Sequence, residues 1–132
     1  MEVAVVGYGY WGKILKKYLD ENDLFKVVGI YDPLYRNSIK LEEILNNSNI
    51  ESVFVCNPID MHYSTVKILL ENKKNVFCEK PLSKSYKESL ELFEIAKKNN
   101  VTLYVDYIYT NSPSINKIKE MKEQLGKILY IE

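Results

Sequence analysis

Three glycines spaced as Gly7-x-Gly9-x-x-Gly12 follow one apolar run, and Glu79-Lys80-Pro81 follows another. In a strand-to-helix turn, a glycine at 7 permits the tight bend, one at 9 lets bare backbone approach a pyrophosphate, and one at 12 lets the helix lie close to the strand. The helix then opens with free N–H groups that favour an anion. Asp32 stands twenty residues after Gly12, at the end of the next apolar run, where a carboxylate can accept hydrogen bonds from ribose hydroxyls. Such a carboxylate repels a 2′-phosphate, so NAD is favoured over NADP as cofactor. Arg36, four residues on, is the opposing sign: it either binds that phosphate or lies on the surface. Tyr10 and Trp11, inside the turn, either line the cofactor groove or pack at the helix start. A lysine at the carboxyl end of a parallel strand, as Lys80 would be, lies where ligands bind in open α/β sheets. It can hydrogen-bond a substrate hydroxyl and share in proton transfer. Glu79 beside it is expected to hold its orientation and charge.

The elements that must carry these residues show as an alternation. Short apolar runs (3–6, 26–31, 53–56, 76–78, 101–105) alternate with helical patterns (11–21, 41–46, 61–71, 86–99, 114–125). This predicts parallel strands joined by helical crossovers, an α/β fold. The runs are continuously apolar, as when both faces of a sheet are covered. Asp60 is placed to cap the third helix, and Ser85 with Glu88 has capping-box spacing for the fourth. Pro113 fits a first helical turn, and Gly126 the stop of that helix. One unit is short. Eight residues separate Asp32 from Leu41, too few for a crossover with its helix, which takes about 10 to 12. The sequence therefore predicts a Rossmann-like doubly wound parallel sheet with a shortened unit after the second strand. Any strand over Ser38 to Lys40 is a stub, and the sheet near Leu34 and Tyr35 is less covered.

Composition narrows the function classes. Eighteen basic and eighteen acidic residues in a chain of 132 cancel, so there is no basic footprint for nucleic acid. No apolar stretch approaches the roughly 18 to 20 residues of a membrane span. Cys56 and Cys78 lack metal-ligand or CxxC spacing and read as reduced thiols, which with the absence of a leader segment predicts a cytoplasmic protein. No metal is expected.

In their order, these motifs resemble the glucose-fructose oxidoreductase / inositol dehydrogenase (Gfo/Idh/MocA) family. The matching stretches are Val5 to Lys13, Tyr31-Asp32-Pro33, Val55-Cys56-Asn57-Pro58 with His62, Val76 to Pro81, and Leu125-Gly126-Lys127-Ile128. The resemblance implies a cofactor cradle from Gly7, Gly9 and Gly12, a ribose contact at Asp32 and a nicotinamide-side loop at Asn57-Pro58. It also implies that Lys80 touches both nicotinamide ribose and substrate, with Glu79 beside it. His62, the only histidine, takes a packing or cofactor-edge role, because the family's acid-base histidine lies in its second domain. A cis bond before Pro81 is implied as well. Trp11-Gly12 and Val105-Asp106-Tyr107 look like members that oxidise sugars or nucleotide sugars.

Departures from the family pattern matter too. Thr110 stands where many members place an arginine, and the helix after Asp32 is missing. Residues 1–126 are expected to form the dinucleotide-binding domain, and 127–132 the start of a C-terminal substrate domain that the chain lacks. The implied activity is hydride transfer between a nicotinamide cofactor and a sugar or nucleotide-sugar hydroxyl, with the 132-residue chain not competent alone. The rival readings are an NAD-binding module and a non-catalytic interaction domain. The segment Lys127 to Ile131 is expected to offer an edge for a homodimer.

Overall fold

The computed structural model describes residues 1–127 and 129–130. Five strands, β1 (Glu2–Val6), β2 (Lys26–Tyr31), β3 (Ile50–Val55), β4 (Asn75–Cys78) and β5 (Leu103–Val105), form one parallel sheet in the order β2-β1-β3-β4-β5. They are connected through α1 (Tyr10–Asp20), α2 (Leu41–Asn46), α3 (Ile59–Glu71) and α4 (Tyr86–Asn99). A 3-10 turn (Ile108–Asn111) and α5 (Pro113–Glu120) follow. The order reverses between β1 and β3, so the crevice at their carboxyl ends is a topological switch point, the place where such sheets bind ligands.

Alternation along each strand sorts side chains to the two faces. In β1, Ala4 and Val6 join Val53, Val55, Val66, Leu69, Leu70 and Leu92 in a core beneath α2, α3 and α4. Val3 and Val5 face the other way, with Leu19, Ile30 and Phe54. Leu69 and Leu92 are fully buried, and truncation of such a leucine to alanine costs about 2–5 kcal/mol. On the second face Phe54 pairs in register with Phe77, and Phe77 with Tyr104. With Phe25 these rings make a continuous row, with centroid spacings of 5.9, 5.1 and 5.4 Å.

Two local expectations are corrected, for Asp60 and Gly126, and the open one over Ser38 to Lys40 is decided. Ser38 to Lys40 forms no strand: Ile39 N–H donates once to the Ile30 carbonyl (2.9 Å), and the Ser38 hydroxyl accepts Asp32 N–H. Eight residues leave room for one bridging bond and no ladder. Leu34 there is 98% exposed, while Tyr35 is half-buried against the Tyr8 ring at 4.6 Å. Asp60 does not cap α3, whose cap position is Pro58; it lies in the first turn, where its charge suits the helix dipole, and pairs with Lys84. The last helix stops at Glu120 and continues as turns, so Gly126 (φ +66°) ends those turns and not α5.

The other caps follow the sequence. The Ser85 hydroxyl accepts Glu88 N–H at 3.2 Å, and Asn100 closes α4 in the left-handed region at φ 54°. Pro113 opens α5. The Lys127 to Ile131 dimer edge and the Leu125 to Ile128 match fall partly on Ile128 and Ile131, outside the described residues.

Candidate functional site

At the switch point lies a groove of about 470 Å3, within the usual range for a small-molecule site. Gly7, Gly9, Tyr10, Trp11, Asp32, Asn57 and Pro58 all line it. Sequence reasoning missed Val6, Tyr31, Pro33, Leu34, Cys56 and Met61, which line it too. Strand ends and the residues directly after them are wall positions by topology; Met61 was legible only as an apolar residue one helical turn past Asn57.

The glycines do different work. Gly7 has φ +90°, and a Cβ there would stand 2.4 Å from Asn57 N. A Cβ on Gly12 would stand 2.0 Å from the Gly7 carbonyl oxygen, so α1 can approach β1 only without a side chain at 12. Gly9 is open, with nothing within 4 Å of its Cβ position, and it is exposed at the groove. It is also the cap residue of α1, where no side chain takes the first N–H groups; the first helical bond is Lys13 N–H to Gly9 carbonyl. The start of α1 is thus a set of uncommitted donors beside bare backbone, which suits a phosphate.

Asp32 joins this turn to the end of β2. Its Oδ2 accepts Tyr8 N–H at 2.6 Å and its Oδ1 accepts Leu34 N–H at 2.8 Å. Each carboxylate oxygen has a second lone pair, so acceptor capacity toward the groove remains. On the far wall, the Asn57 amide nitrogen donates to Thr65 Oγ1 (2.9 Å), while its Oδ1 is buried without a partner. An orphaned polar atom on a groove wall calls for a ligand's hydrogen-bonding group. Tyr10 and Trp11, edge to face at 5.4 Å, remain 75% and 57% exposed at the mouth. These observations fit a dinucleotide.

His62, Gly12, Glu79 and Lys80 do not line this groove. The His62 ring is buried behind the wall, its nitrogens 2.8 Å from the carbonyl oxygens of Asn57 and Pro81. Of the two roles expected for it, packing or cofactor edge, this is the packing one. Lys80 sits on the exposed turn after β4, before a Lys80–Pro81 bond that is cis, as the resemblance implies. Its side chain has no ion pair among the described residues, and the expected Glu79 partnership takes another form. Glu79 Oε2 accepts the backbone N–H of Lys80 at 3.2 Å, which fixes the backbone of the turn and leaves the ammonium free. Arg36 is exposed, and the Thr110 hydroxyl donates to the Tyr107 carbonyl.

Both cysteines are free and poor nucleophiles. Burial, then the charges of Glu79 and Asp106, push the Cys56 thiol up to about 12. Burial, then Cys56 and Glu79, push Cys78 up to about 12 as well. No cluster of three or more metal-ligating side chains exists among the described residues, and no helix there is long and apolar enough to cross a membrane.

A family profile described as an oxidoreductase family with an NAD-binding Rossmann fold, GFO_IDH_MocA, matches residues 1–107. An uncharacterized oxidoreductase of Streptococcus pneumoniae serotype 4 is 31% identical over 98% of this chain and 39% of its own length. The myo-inositol 2-dehydrogenase of Thermotoga maritima is 29% identical over 96% of this chain and 42% of its own. The chain therefore spans about two fifths of these relatives. Biliverdin reductase of Synechocystis sp., solved with biliverdin and NADP+, superposes with a TM-score of 0.83 at 18% identity over 98% of this chain and 45% of that one, which speaks for the fold alone.

Proposed function

This chain belongs to the GFO_IDH_MocA oxidoreductase family, and we propose that its groove holds NAD for hydride transfer to or from a sugar-type hydroxyl, a nucleotide sugar included. The observation that carries the reading is the meeting of two groups on one groove: the uncapped start of α1 and the carboxylate of Asp32. In the complete enzyme, NAD would supply the hydride acceptor at its nicotinamide ring. The chain's own residues bind and orient. The N–H groups after Gly9 take the pyrophosphate, Asp32 takes the ribose hydroxyls and disfavours a 2′-phosphate, and Asn57 Oδ1 accepts from the nicotinamide side, beside Pro58.

Lys80 is the residue assigned to substrate. Its unpaired ammonium donates to the substrate oxygen and assists proton movement there, while Glu79 and His62 hold the backbone around it. Residues 1–126 serve as the dinucleotide-binding domain. A substrate domain of the kind that fills the remaining length of the relatives supplies the opposite wall. The sugar class is supported by the name of the Thermotoga relative; the NADP+ in the Synechocystis structure is the counterweight to NAD.

Calorimetric titration of this chain with NADH and NADPH tests the reading. NADH is expected to bind more tightly. Equal or reversed preference overturns the Asp32 assignment, and binding of neither overturns the cofactor reading. In the complete enzyme, Lys80→Ala is expected to leave the fold intact and lower turnover strongly; unchanged turnover removes Lys80 from the chemistry.

A further inference from the structure

The two faces of the sheet are covered unequally. Helices α2, α3 and α4 close the first face, whereas α1 brings Leu15 and Leu19 to the second face beside Val3, Val5 and Ile30. Over β3, β4 and β5 the second face ends in the row of Phe25, Phe54, Phe77 and Tyr104, which floors an open concavity of about 540 Å3 rimmed by the uncharged Ser52, Asn75 and Thr102. The Tyr104 hydroxyl, at the outer end of the row, accepts Asn111 Nδ2 at 2.9 Å. That bond ties the 3-10 turn, and α5 after it, to the edge of the concavity. Helix α5 buries none of its residues. Ile115, Ile118, Met121 and Leu125 recur at helical spacing along it and the turns that follow, an apolar stripe with nothing against it among the described residues.

We propose that a second copy of this chain docks here, the α5 stripe of each copy seated on the aromatic row of the other. A hollow floored by rings and an apolar ridge tied to its edge are self-complementary: a two-fold axis between the copies makes both contacts at once and closes the pair. The hollow has no charged side chain in its lining, so covering it desolvates no charge there. Area argues the same way. Tyr104, Tyr107, Ile108, Tyr109, Ile118 and Leu125 are each between 40% and 71% exposed. At roughly 150–200 Å2 for a whole large side chain, they leave on the order of 500–600 Å2 of largely apolar surface on this stretch. That is the top of the range for the largest patch on a monomer, about 300–600 Å2, and close to the roughly 600 Å2 per partner at which stable pairs begin. A pair of micromolar affinity follows. The contact uses neither the cofactor groove nor residues 127–131, and it does not rest on the function proposed above.

The test is sedimentation of the 132-residue chain over a range of concentrations, beside Thr102→Glu at the rim of the hollow and Ile118→Glu on the stripe. Both positions are exposed, so the variants are expected to unfold at the parent's temperature. Each brings a carboxylate into an apolar contact, so each is expected to weaken the pair about tenfold or more. The seating is read separately by nuclear magnetic resonance, with a nitroxide on Lys122→Cys, beside the stripe, in one copy mixed with isotope-labelled parent chain. Broadening of the Phe77, Thr102 and Tyr104 amides in the labelled partner is expected. A monomeric mass at every concentration overturns the proposal and leaves the face to a different occupant. So does a dimer that neither substitution weakens, or one in which the nitroxide broadens other faces and spares the row. If a variant unfolds early, the nitroxide experiment on the mixed chains still decides.

Discussion

The Asp32 carboxylate accepts the backbone N–H of Tyr8 at 2.6 Å, so the acid assigned to ribose also holds the glycine turn in place. Asp32→Ala removes both jobs. It is expected to lower stability by about 2 kcal/mol, because two amide donors lose a charged acceptor, and to narrow the NADH over NADPH preference. Asp32→Asn keeps one acceptor oxygen, so it should lose less stability and as much discrimination. Thermal unfolding and calorimetry on the two variants separate the roles.

Gly9 and Gly12 should respond oppositely to one methyl group. Gly12→Ala forces a Cβ against the Gly7 carbonyl and is expected to cost about 1–3 kcal/mol of stability. Gly9→Ala meets nothing and should unfold like the parent, yet bind NADH about tenfold more weakly, a loss of about 1.4 kcal/mol. Equal stability losses in both would contradict the division.

The Lys67–Glu91 pair at 2.6 Å, with Tyr63 bonding the same carboxylate at 2.9 Å, joins α3 to α4. Lys67, first through its bond to Glu91, has a raised pKa, and Glu91, first through its bond to Lys67, a lowered one. The carboxylate's contribution is present above its unfolded pKa and lost as pH falls through the depressed folded one. The ammonium's contribution is lost only as pH rises through the raised folded value. A Lys67/Glu91 double-mutant cycle should therefore show coupling at neutral pH that fades in acid and shrinks with added salt, since both side chains are about a third exposed.

Both thiols, pushed up to about 12, hold almost no thiolate near neutral pH. Alkylation of Cys56 and Cys78 in the folded chain is expected to be far slower than in denaturant. Because Cys56 lines the groove, NADH should slow its reaction further while leaving Cys78 unaffected. Mass spectrometry of the labelled chain reads both effects.

The strands and the groove's glycine side were legible because apolar runs and glycine spacing are local signals. Lys26–Tyr31, Leu41–Asn46 and Tyr86–Asn99 have the bounds that the pattern predicts. What escaped depended on partners distant in the chain. Glu79 reads as an ion-pair partner for its neighbour, but its carboxylate turns to the backbone of the bend. For His62 the sequence leaves packing and a cofactor edge open, and the two carbonyl groups that surround its ring lie 5 and 19 residues away, beyond any local signal. Asp60 reads as a cap, but Pro58 already occupies that position with extended backbone (ψ 145°).

The aromatic row across β3, β4 and β5 carries a consequence for how this sheet tolerates change. A one-residue slip of β4 would send Phe77 to the opposite face, into the aliphatic layer beneath α3, and put Val76 or Cys78 between Phe54 and Tyr104. The rings therefore act as a key that admits one alignment of three strands. Insertions in the loops on either side of β4 should be absorbed as longer loops, with the alignment, and the position of the Lys80 turn at its end, kept unchanged.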